Sequence, residues 1–111
     1  MTLFQRFAEV LKAKAIPPFQ VVSDHADSLR VSYPPDGNLE IIERVGSIDG
    51  RMYWTRGEDK DEPNTFRITQ REHGIPPEVC WDGQMAVQYP SLQSVAITAL
   101  DLLKKVSDVQ R

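Results

Sequence analysis

Cys80 is the only cysteine in the chain. No intramolecular disulfide can form, so the fold has to stand on its core alone. A small secreted domain would more often carry paired cysteines. Long apolar runs are missing too. No stretch approaches the roughly 20 residues that a membrane-spanning helix needs. The opening Met-Thr-Leu-Phe-Gln-Arg-Phe lacks the basic region and continuous apolar run of a secretory signal. Excess basic charge is also absent. The formal charge is −3, whereas a chain that grips nucleic acid would show a basic footprint. A basic protein partner stays compatible with that charge. The expectation is a cytoplasmic protein with no membrane association and little affinity for nucleic acid.

Signatures of chemistry are missing as well. There is no glycine-rich phosphate loop, no Gly-x-Ser-x-Gly elbow and no His-Glu-x-x-His. Acids are numerous, but no pair has a spacing that implies acid–base work. The expectation is no cofactor, no metal and no catalytic residue.

What is present is an ordinary globular composition. The 111 residues are 41% apolar and 26% charged, enough to bury a core in one domain over 1–111 and too apolar for disorder. Residues 3–15 read as an amphipathic helix. Thr2 and Gln5 form a Thr-x-x-Gln capping box, and Pro17-Pro18 ends the helix. In this helix Arg6, Glu9 and Lys12 face away from the core. Short alternating runs follow at 19–23, 29–33, 39–45, 51–56, 65–71, 78–82 and 85–89, each bounded by turn residues. Residues 46–50 read as a hairpin loop with glycine at both ends, and Asp82-Gly83 as a tight turn. From Leu92, capped by Ser91, apolar residues recur at helical spacing. The layout predicts an α+β fold: an antiparallel β-meander of six or seven short strands, with an N-terminal and a C-terminal helix packed on one face.

Sorting the strands by face separates two surfaces. Met52, Trp54, Phe66, Ile68, Val79 and Trp81 belong to the core side. Arg30, Glu40, Arg44, Arg51, Tyr53, Arg67, Arg71, Glu78 and Asp82 belong to the polar side. Arginines beside an aromatic suit single-stranded nucleic acid, but acids alternate with them here. Cross-strand Arg–Glu pairing explains that pattern more simply.

The segment 58–62 holds four acids and one lysine. It lacks the Asp-x-Asp-x-Asp-Gly pattern of a calcium loop. As an acidic hairpin tip it would solvate the chain or dock on a basic partner. Asp24-His25-x-Asp27 and His73 could orient an imidazole, and Cys80 beside Trp81 could be a nucleophile. A solvated turn and a buried, inert thiol account for them more simply.

The expected function is therefore a non-catalytic protein-binding module, an inhibitor or immunity-type protein that neutralises a basic toxin or effector enzyme. Its contact residues are expected to be Tyr53, Arg56, Glu58, Asp59, Asp61 and Glu62. The competing readings are a small-ligand protein or enzyme with a pocket near His25, His73 and Cys80, and a nucleic-acid domain using the arginine face. An exposed sheet edge leaves a homodimer open.

Overall fold

A computed structural model of the chain describes residues 1–54 and 64–109. Among these residues helix α1 (Leu3–Lys14) comes first, then seven strands: β1 (Gln20–Asp24), β2 (Ser28–Tyr33), β3 (Gly37–Arg44), β4 (Ser47–Trp54), β5 (Asn64–Thr69), β6 (Glu78–Trp81) and β7 (Val87–Gln88). Helix α2 (Leu92–Val109) closes the fold. The strands pair in chain order, β1 to β7, and every pairing is antiparallel. The fold is thus the α+β meander with two helices that the periodicities predict.

Both helices start on reciprocal caps. The Thr2 hydroxyl accepts from the Gln5 N–H, and the Gln5 side chain accepts from the Thr2 N–H. Ser91 and Ser94 do the same for α2. Each pair satisfies backbone donors that a helix start leaves open. From α1, Phe4, Phe7, Ala8 and Leu11 enter the core; from α2, Val95, Ala96, Ala99, Leu100 and Leu103 do. They meet the inner face of the sheet, where Leu29, Val31, Leu39, Ile41, Ile48, Met52, Phe66, Ile68 and Val79 are buried. Two glycines on that face make room. A Cβ at Gly37 would lie 2.8 Å from the Ser107 Cβ on α2, and one at Gly50 would lie 2.1 Å from the Phe66 ring. Ser107 also donates to the Tyr33 carbonyl, which ties the end of α2 to the β2–β3 turn.

Three details differ from the sequence expectation. The β3–β4 turn is Val45-Gly46 alone, with Arg44 paired to Ser47 and Gly46 at φ +75°. The expected 46–50 loop is strand instead: Ile48 is fully buried, Asp49 is buried, and Gly50 sits between Ile41 and Phe66. A positive φ at one glycine suffices for the turn, so the second glycine serves packing. Val45 is fully exposed at the turn. Ile42 points to the face opposite Ile41, where it is half-buried.

The last strand is also shorter than expected. Asp82 and Gly83 both have positive φ (49° and 76°), and the Gln84 N–H closes the turn on the Trp81 carbonyl. The register then slips by one, because Val79 pairs with Val87. Only two residues of the expected 85–89 run remain in β7, and Met85 and Val87 are exposed. Finally, Arg6 does not face away: it is half-buried at the edge of α1.

Candidate functional site

Both helices cover one face, and among the described residues no element packs on the other face of the sheet. Register fixes what stands on it. One row runs Arg30, Glu40, Arg51, Thr65 across β2 to β5. The next runs Ser28, Ile42, Asp49, Arg67, Cys80 across β2 to β6, and a third ends on Ser47, Thr69, Glu78 and Gln88. Tyr53 lies opposite Asn38 on the same face and is half-buried.

Asp49 is the centre of this face. Its carboxylate is only 12% exposed. Arg67 forks onto it, Nε donating to Oδ1 at 2.7 Å and Nη2 to Oδ2 at 3.3 Å. The Arg44 guanidinium pairs with Oδ2 from the other side. The Arg67 hydrogen bond holds the Asp49 pKa below the ordinary aspartate value, with help from the charges of Arg67, Arg44 and Arg51; burial opposes them and loses. The same bond raises the Arg67 pKa. In the neighbouring row Arg30 donates to Glu40 at 3.0 Å, and its pKa is raised by that bond first. The expected cross-strand Arg–Glu pairing is therefore present, together with an Arg–Asp–Arg cluster that the sequence did not reveal. Asp49 was hidden because it appeared to lie in a loop. The Val45-Gly46 pair, read as a two-residue turn, was the signal that would have put it in a strand opposite Arg67.

Tyr53 is the one expected contact residue whose surroundings are described. Arg56, Glu58, Asp59, Asp61 and Glu62 lie outside the described residues, as does the side chain of Trp54. In sequence the five belong to the segment that joins β4 to β5, directly after Tyr53.

The two histidines and the cysteine are not brought together. His25 is exposed in the β1–β2 turn and lines a groove beside Phe4, Ala8 and Lys12. His73 is exposed after β5 and lines a cleft of about 430 Å³ between α1, the 70–77 connection and the start of α2. Cys80 is half-buried on the open face, its thiol donating to the Gln84 carbonyl. Among the described residues, His73, Cys80 and His25 line three different pockets. Among the described residues no three His, Cys, Asp or Glu side chains are grouped to hold a metal ion, and no helix is long and apolar enough to cross a membrane.

No protein-family model matches the chain, and neither does a curated protein or a solved structure.

Proposed function

We propose that the chain is a non-catalytic protein-binding module, of the kind that inhibits or neutralises a toxin or effector enzyme by covering it. The observation that supports this reading is the open sheet face. Its polar side chains are held in fixed positions by cross-strand ion pairs, Arg30 to Glu40 and Arg44 and Arg67 to Asp49. Side chains already ordered before contact lose less entropy on binding. Arginine and tyrosine are also the residue types that carry protein interfaces most often. Tyr53 stands on this face, and the acidic segment with Glu58, Asp59, Asp61 and Glu62 follows it in sequence. In this reading Arg56 and that segment complete the contact, against a basic part of the partner. The reading takes the protein to work in the cytoplasm, where a lone unpaired cysteine is ordinary.

The test is a binding titration of the purified chain against the toxin or effector enzymes encoded beside it, with enzyme inhibition as the second readout. A stoichiometric, inhibitory complex is expected. Reversing the charges of Asp59, Asp61 and Glu62 together should weaken it about tenfold or more, since charge complementarity would be replaced by repulsion. Alanine at His25 and His73 should leave it intact. If no protein binds and a small molecule does, the reading fails.

A further inference from the structure

Asp49 holds two arginines and leaves most of their donors unspent. A guanidinium carries five N–H donors in a rigid fork. Arg67 gives Asp49 its Nε and one Nη2 contact, and Arg44 gives it Nε. Both side chains remain about half exposed, at 56% and 51%. Arg51, two residues along the same strand, is exposed and makes no ion pair among the described residues. Its cross-strand neighbour Glu40 is already engaged by Arg30. Arg44, Asp49, Arg51 and Arg67 together line a groove of about 370 Å³ on the open face, with Thr65 and Cys80. Three guanidinium groups thus face one carboxylate, an excess of two positive charges in a chain whose net charge is −3.

We propose that this groove receives a carboxylate side chain of the protein partner, so that an acidic segment of that partner docks between Arg44, Arg51 and Arg67. The proposal rests on the protein-binding reading and gives the partner a chemistry. Asp49 acts as an internal template. It fixes the direction of Arg44 and Arg67 and stops like charges from splaying apart, so the incoming carboxylate meets donors that are already aimed. A discrete carboxylate suits the place better than a phosphate backbone. A nucleic-acid strand needs a continuous basic track with stacking aromatics, and here Glu40 and Glu78 interrupt the face on both sides of the groove while Tyr53 is half-buried beside Asn38.

The experiment is an amide-shift titration of the ¹⁵N-labelled full chain at low salt, with a short glutamate-rich peptide and, separately, a single-stranded oligonucleotide of equal length. The peptide is expected to shift the amides of Asp49, Gly50, Arg51, Phe66 and Arg67. Arg51→Glu should weaken its binding about tenfold, and the charge-conserving Arg51→Lys should retain part of it while leaving the unfolding midpoint unchanged. Absence of shifts, shifts centred elsewhere, an unchanged affinity in Arg51→Glu, or tighter binding of the oligonucleotide would each overturn the proposal. A partner protein bound equally well by the wild type and Arg51→Glu overturns the groove and leaves the protein-binding reading standing. A groove that takes the peptide in a chain that binds no partner protein overturns that reading instead.

Discussion

Gly50 shows how one residue decides the inner face. Its position between Ile41 and Phe66 leaves no volume for a side chain, because the Phe66 ring occupies it and in turn contacts Trp81 at 4.7 Å. Gly50→Ala would push that ring out of place. The expected loss is about 3 kcal/mol, at the upper end for overpacking, and urea denaturation measures it. Sequence alone cannot separate this use of glycine from a turn, which is why 46–50 reads as a loop. On the other face of the same strand, Asp49 sets a pH dependence. Its folded-state pKa is depressed, so its contribution to stability is present above the ordinary aspartate value of about 3.9 and disappears as pH falls through the lower folded value. Asp49→Asn should therefore be less stable than the wild type at neutral pH, by about 2 kcal/mol, since it removes an acceptor shared by two guanidinium groups. The difference should close as the pH is taken below the aspartate range. Urea midpoints of the two proteins across that range check the sign.

At the scale of elements, the helices were legible and the edges were not. The capping residues and the apolar stripe give α1 and α2 almost to the residue, because both signals are local. The Ser91–Ser94 cap makes a direct test: Ser91→Ala should cost about 1 kcal/mol, visible as a lower thermal midpoint with the helical circular dichroism of the folded state retained. Edge geometry depends on pairings far from the residue concerned. In β1 the register shifts between Val21 and Ser23, a bulge that bends an edge strand away from a flat ladder. At the other end β7 has two residues, and Pro90 follows closely. Both are common ways of blunting an edge. The homodimer that the sequence leaves open would find no long flat edge to use, although Val22 and Val87 are more than half exposed there.

For the molecule as a whole, hydrophobic alternation identified the two layers and the face that stays open. It did not give the strand order, since alternation says which way a side chain points and nothing about which strand lies next to it. Nor did it show that Arg44 and Arg67 converge on a single acid, which takes both β3–β4 and β4–β5 register. That strand order has a consequence in time. Every strand lies beside its neighbour in the chain, and Val45-Gly46 and Asp82-Gly83 close their hairpins tightly. Such pairings bring together residues close in sequence and sacrifice little chain entropy, so they can form early. The contact between α1 and α2 joins elements about as far apart in sequence as the chain allows. Assembly should then run as a succession of hairpins, each one templating the next. The docking of the two helices comes at the close and turns a one-sided sheet into a protein with a core.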